Sequence, residues 1–159
     1  MNELISKINN NTNYRKMLTC QFNMDNYSIL KVLKSEGVIK LLEINKNNKN
    51  QKIINFLIND KLGKLGTNVF LKPISKPGRK VYISNKEILS MSNTKKGFTI
   101  NTSKIGIKTL YSNLSEHKIY LLRTSSNNLQ LLNNKGIITQ EEAIKNNVGG
   151  ELLLVVKFQ

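Results

Sequence analysis

Apolar residues recur at helical spacing at the start of the chain, where Leu4, Ile5 and Ile8 predict a short amphipathic helix over Asn2 to about Asn10. The polar cluster NNNTN closes it. Met17, Thr19, Gln21 and Phe22 then suggest a short strand. Asp25 is placed to cap a second helix, whose apolar face is Ile29, Leu30, Val32 and Leu33 and whose stop is Gly37. Val38 to Ile44 and Ile53 to Ile58 are β-branched, apolar runs across a polar NKNNKNQ link, which predicts a hairpin. The first half is therefore an α-β-α-β-β unit, with two helices on a small sheet.

Gly63 and Gly66 loosen the chain before Thr67 to Leu71 leads into the only prolines, Pro73 and Pro77, and a boundary is expected there. Beyond it, Val81 to Ser84, Gly97 to Ile100, Ile119 to Leu122 and Glu151 to Phe158 are β-like, with a KEIL segment and a polar SMSNTKK stretch between. Thr139 can cap a short helix, QEEAIKNN, that ends at Gly149 and Gly150. The expected class is α+β in two small domains. Residues 1–65 form an N-terminal α/β domain, and residues 66–159 a mostly β domain with one short helix and inserted loops around 90–117 and 127–134. A chain of 159 residues is long enough for one ordinary domain or two very small ones.

Charge changes the picture most. With 25 Lys and Arg against 10 Asp and Glu, the formal net charge is +15. Such an excess repels itself in a compact state and is usually balanced by a polyanion, so nucleic acid is the expected partner. A merely soluble basic surface is the plain alternative. A membrane surface fits less well, because the lysines are scattered instead of lining one helix face. No apolar run approaches the roughly 20 residues that span a bilayer, and MNELISKINNN has neither a secretory apolar region nor the Arg-rich character of a transit peptide. Cys20 is the single cysteine, which excludes an internal disulfide and a thiolate zinc cage. Heavy use of Asn, Lys and Ile points to an AT-rich genome, in an organelle or a bacterium.

The densest knot of charge is KPISKPGRKVY. Its prolines stiffen PISKP into an extended segment with Gly78 turning just after it, and it presents Lys72, Lys76, Arg79 and Lys80 with little backbone entropy left to lose. These cations suit phosphates, and Tyr82 can stack on a sugar or base. An interdomain linker with solvated lysines and a core tyrosine reads equally well. Two hydroxyl-rich turns, GFTINTSK and IYLLRTSS, can donate to base edges or 2′-hydroxyls, or can simply bond their own backbone. Glu151, after two glycines at the head of an apolar strand, can accept from a base amino group or hold a neighbouring cation, unless it is a solvated strand-start glutamate.

Taken together and in order, SKPGRKVYISNKEIL, an apolar strand ending in TSS, and KGIITQEEAIKNNVGGELLLVV resemble the small-subunit ribosomal protein eight family. Members carry an ISKPGRRVY-like segment, an STSKG loop, a T-D-x-E-A helix and a final GGE strand. The resemblance covers nearly the whole chain. It implies a primary rRNA-binding protein on the central domain of small-subunit rRNA, needed early in assembly, with neighbouring ribosomal proteins as further partners. It implies no metal, cofactor or small-molecule substrate.

Carried over, the family's RNA-contacting positions are Tyr82, Thr124, Ser125, Ser126, Gly149, Gly150 and Glu151. Lys76, Pro77, Gly78, Arg79 and Lys80 match its basic segment, and Lys135 and Gly136 match the KG after its loop. Lys72 and Lys7 extend the phosphate-anchoring set. The chain departs from the family where NNLQLLNN separates TSS from Lys135, which puts Arg123 at the first serine of the triplet. Asn101, Thr102, Ser103 and Lys104 form the alternative loop. Enlarged versions of such proteins are typical of mitochondrial ribosomes, so the mitochondrial matrix is the expected location, with plastid stroma or bacterial cytoplasm as alternatives.

Two other classes fit the sequence less well. An enzyme is disfavoured, since the lone His117 lies in a polar SEHK stretch, GKLG and KIGI lack phosphate-loop spacing, and no nucleophile elbow is present. A free-standing basic regulator of RNA or DNA would bind through charge alone and lose affinity steeply with salt.

Overall fold

The computed structural model describes residues 1–60, 68–92, 118–125 and 136–158. The first part runs α1 (Asn2–Asn9), β1 (Leu18–Gln21), α2 (Met24–Ser35), β2 (Ile39–Lys46) and β3 (Lys52–Ile58). β3 pairs antiparallel with both β1 and β2, giving the order β1-β3-β2 and the expected hairpin. All four apolar positions expected on α2, Ile29, Leu30, Val32 and Leu33, are buried.

The cap of α2 differs from expectation. Asn23, not Asp25, is the N-cap: its side-chain oxygen accepts from the Asp25 amide at 2.7 Å, which leaves the Asp25 carboxylate in the first turn, beside the positive end of the helix. Gly37 takes φ +76° just past the helix, as a stop glycine should. In β1 the inward residue is Cys20, while Thr19 and Gln21 face out.

The second part contains β4 (Val69–Pro73), β5 (Tyr82–Ile83), α3 (Asn85–Ser92), β6 (Lys118–Arg123), β7 (Ile137–Thr139), α4 (Gln140–Lys145) and β8 (Gly150–Phe158). Its sheet has the order β4-β8-β6-β7, with β5 also pairing with β8. α3 is a helix beyond the one expected, and it contains the KEIL segment. Its start is read from Ser84 and Glu87, whose side chains bond reciprocally to each other's backbone or hydroxyl. α4 has a full capping box between Thr139 and Glu142, but it ends at Asn146 rather than at the glycine pair. Asn147 supplies the left-handed residue instead, at φ +52°. The β-like run at 97–100, His117, GKLG and KIGI lie outside the described residues.

One apolar cluster joins α1, α2 and the inner face of the first sheet to one face of the second, through Leu4, Ile29, Phe56, Leu71, Leu121 and Val156 among others. A separate cluster on the opposite face of the second sheet packs Tyr120, Leu122, Leu152 and Val155 against α3 and α4 through Ile88 and Ala143. The middle of the second sheet, at β6 and β8, is thus covered on both faces. The outer edge of β4 is closed as well: the Asn9 side chain donates to the Leu71 carbonyl at 2.9 Å and accepts its amide at 2.7 Å, while the Tyr14 hydroxyl accepts from the Val69 amide.

Candidate RNA-binding site

The cationic stretch is not one stiff extended segment. Lys72 and Pro73 finish β4, paired with Val155 and Leu154 of β8. β4 is an edge strand whose Val69 and Leu71 amides point away from β8, so the missing N–H of Pro73 falls on that same outer side. The chain then reverses: the Arg79 amide donates to the Lys76 carbonyl at 2.9 Å and the Lys76 amide to the Arg79 carbonyl at 3.1 Å. Pro77 and Gly78 are the two turn residues, and Gly78 at φ +78° fits a type II turn. Lys76, Arg79 and Lys80 are all exposed on it.

Ser75 ties that turn to the sheet. Its buried hydroxyl donates to the Leu152 carbonyl at 2.7 Å and accepts from the Val81 amide at 3.0 Å. Sequence reasoning passed over Ser75; the available signal was a lone small hydroxyl between two prolines in an otherwise cationic run. The linker reading of this stretch does not hold, since its backbone is bonded to β8 through Ile74, Ser75 and Leu152.

Tyr82, Glu151 and Arg123 are direct cross-strand neighbours on β5, β8 and β6. Cross-strand partners share a sheet face, so the three side chains stand in a row. Tyr82 is 66% exposed, which excludes the core-tyrosine reading. Glu151 is buried, with Lys80 Nζ 4.0 Å from its Oε2. Arg123 Nη2 lies 3.1 Å from Asp25 Oδ2, reaching across to α2. Glu151 and Arg123, though not Tyr82, open onto a hollow of about 200 Å³ whose polar lining also includes Asp25, Ser75, Lys76 and Lys80. Met1, Pro77 and Leu153 supply its apolar part.

The glycines make this junction possible. A Cβ on Gly150 would sit 2.2 Å from the Arg123 carbonyl oxygen, and one on Gly149 2.5 Å from that of Ile83. Neither backbone contact can yield without moving a strand. The start of β8 is therefore pressed between the ends of β5 and β6, beside the Thr-Ser turn. Thr124 is buried and its amide donates to the Gly136 carbonyl at 2.8 Å, while Ser125 is exposed. Gly136 is packed as tightly, its φ +69° turning the chain against Thr124.

The structure brings together Lys76, Lys80, Tyr82, Arg123, Thr124, Ser125, Gly150 and Glu151. It does not bring Lys7 or Lys72 to them. Lys7 pairs with Glu3 at 2.7 Å and donates to the Thr19 carbonyl, and Lys72 projects from the opposite sheet face with Val155. Ser126, Lys135 and the alternative loop Asn101, Thr102, Ser103 and Lys104 lie outside the described residues. Asp25, which closes the hollow from the first half, was missed because its role depends on a contact about a hundred residues away in sequence.

The family model described as Ribosomal protein S8 matches residues 1–118. The small ribosomal subunit protein uS8 of Mycoplasmopsis synoviae (strain 53) is 28% identical over 158 residues, covering 98% of this chain and 95% of its own length. That of Helicobacter acinonychis (strain Sheeba) is 30% identical over 126 residues, 79% of this chain and 72% of its own. The Helicobacter pylori (strain Shi470) protein is 29% identical over the same extent.

Proposed function

The chain belongs to the ribosomal protein S8 family, a structural, non-enzymatic constituent of the small ribosomal subunit, and on that premise we propose that it is a primary binder of the central domain of small-subunit rRNA. The observation that carries this reading is the row Tyr82, Glu151, Arg123 beside the exposed Ser125. An exposed ring, a buried acceptor and flanking cations together suit an irregular RNA helix, in which unstacked bases and 2′-hydroxyls are read in a shallow groove. Lys76, Arg79 and Lys80 on the rigid turn then anchor phosphates. The closeness of Gly150 to Arg123 and Thr124, and of Gly136 to Thr124, supports Thr124 and Ser125 as part of the family loop.

We also infer that the ribosome served is mitochondrial, in the matrix. The Asn, Lys and Ile usage and the segments around 90–117 and 127–134 support this, whereas the bacterial relatives support a bacterial cytoplasm. Sedimentation of the protein with mitochondrial ribosomes in fractionated cells is the expected outcome, and sedimentation with cytoplasmic bacterial ribosomes would settle the alternative.

The main test compares binding to the cognate central-domain fragment and to an unrelated duplex across a salt series. A preference retained at high salt is expected, with Glu151→Ala weakening cognate binding by about 1–3 kcal/mol and Ser125→Ala by about 1 kcal/mol. Equal, steep loss on both RNAs would favour the free-standing basic regulator. Tighter binding by Glu151→Ala would make that carboxylate a bystander.

A further inference from the structure

The opposite face and opposite end of the same sheet carry a second arrangement that the Tyr82–Glu151 row does not use. Phe70 on β4 pairs with Lys157 on β8, which pairs with Lys118 on β6, so the three form a row across adjacent strands. Lys72, two residues along β4 from Phe70, shares this face. The inward neighbours fix the orientation: Leu71 and Val156 point into the core shared with the first half, whereas Val155 and Tyr120 point toward α3 and α4, as Phe70, Lys72 and Lys157 therefore do. From Glu151 to Lys157 along β8 is about 20 Å, too far for one nucleotide to bridge.

Phe70 is 39% exposed, whereas the apolar side chains from Leu152 to Val156 on β8 and from Ile119 to Leu122 on β6 are buried. The adjoining β4 edge is closed by Asn9 and Tyr14, so an added strand has nowhere to pair, and the open element is the side-chain face. On it an aromatic residue has one lysine at the next same-face position of its own strand and another directly across on β8. That is the chemistry of a single-strand platform, where a base stacks on the ring and cations track the phosphates.

We propose that Phe70, with Lys72 and Lys157, binds an unpaired RNA segment separate from the one met by Glu151. The ligand class rests on the RNA-binding reading; the position does not. The lysine that sequence reasoning grouped with Lys76 and Lys80 belongs to this second surface.

The full-length protein is titrated with a fluorescein-labelled 12-nucleotide oligouridine, and 5-iodouridine versions are crosslinked and mapped by mass spectrometry. Phe70→Ala is expected to weaken oligouridine binding about 10-fold, the size of one lost stack. Phe70→Tyr should restore it, Lys72→Gln with Lys157→Gln should flatten its salt dependence, and the crosslink should map to Phe70. Binding to the central-domain fragment should keep its dependence on Glu151 in every one of these variants. Unchanged oligouridine affinity in a folded Phe70→Ala protein, with crosslinks at Tyr82 only, overturns the proposal while leaving the Glu151 site intact. Unchanged RNA binding with loss of a neighbouring ribosomal protein from the reconstituted subunit would overturn it in favour of a protein partner. A wild type that binds neither RNA would instead overturn the RNA-binding reading on which both sites depend.

Discussion

In β3 buried residues alternate with more exposed ones, whereas in β8 the run from Glu151 to Val156 is buried without a break. The first sheet has one face on the core and one toward solvent. The second is held between two apolar clusters. A strand packed on both sides has little freedom to tilt, so side chains at its ends are fixed by the layers on either side. This is why the candidate site sits at the head of β8 rather than on the first sheet, although both halves carry lysines. The first half contributes chiefly α2, whose Asp25 reaches Arg123.

The largest expected effect tests whether the two sheets are one cooperative unit. Phe56 is fully buried in the shared cluster but belongs to the first sheet. Phe56→Ala should cost about 3–5 kcal/mol. Amide exchange at Ile54 and at Val155 should then accelerate together. Acceleration at Ile54 with Val155 unchanged would show that the halves open separately, and would support the proposed division near residue 65.

Next in size is Gly150→Ala, which places a methyl group against the Arg123 carbonyl. Displacing the head of β8 should cost about 1–3 kcal/mol of stability. It should also cost cognate RNA binding more than Leu41→Ala, a half-buried change on the first sheet. Comparable RNA losses from the two would remove the distinction between the sheets. Asp25→Asn should change stability by less than about 1 kcal/mol, because the pair with Arg123 is partly exposed. It should tighten binding to unrelated RNA by releasing Arg123 from its carboxylate, as a salt-series titration would reveal.

The legible parts of the molecule are those whose signal is local. Helical spacing located α1 and the buried face of α2, and alternation located the β2–β3 hairpin. The Thr139 and Glu142 pair announced α4. The illegible parts depend on partners distant in sequence. Asp25 looked like a cap, because a carboxylate before an apolar helical pattern usually is one, yet Asn23 takes that place and leaves Asp25 for Arg123. KPISKPGRKVY looked like a linker or an extended arm because nothing within it shows that Ser75 bonds to Leu152. Lys72 and Lys76 look equivalent in sequence, and only the pairing of β4 with β8 sends them to different surfaces. The ordered motifs carried the family resemblance, since they sample the whole chain at once.

The effect that vanishes at neutral pH concerns Cys20, the inward residue of β1. Burial pushes its thiol up to about 11, and the Glu3 carboxylate acts in the same direction while Lys7 opposes it. In the unfolded chain the thiol ionises at its ordinary value of 9.0. The neutral thiol therefore favours the folded state fully below that pH, and its contribution is lost as pH rises toward the folded value. Comparing wild type with Cys20→Ala isolates this term from the tyrosines and lysines that titrate in the same range. Wild-type stability is expected to fall relative to the variant between about pH 9 and 11, and a disulfide reagent should react slowly at pH 8 until the protein unfolds. A constant difference between the two proteins across that range, with rapid reaction at pH 8, would mean that β1 opens on its own. The first sheet would then be the loose partner, held in place by the second.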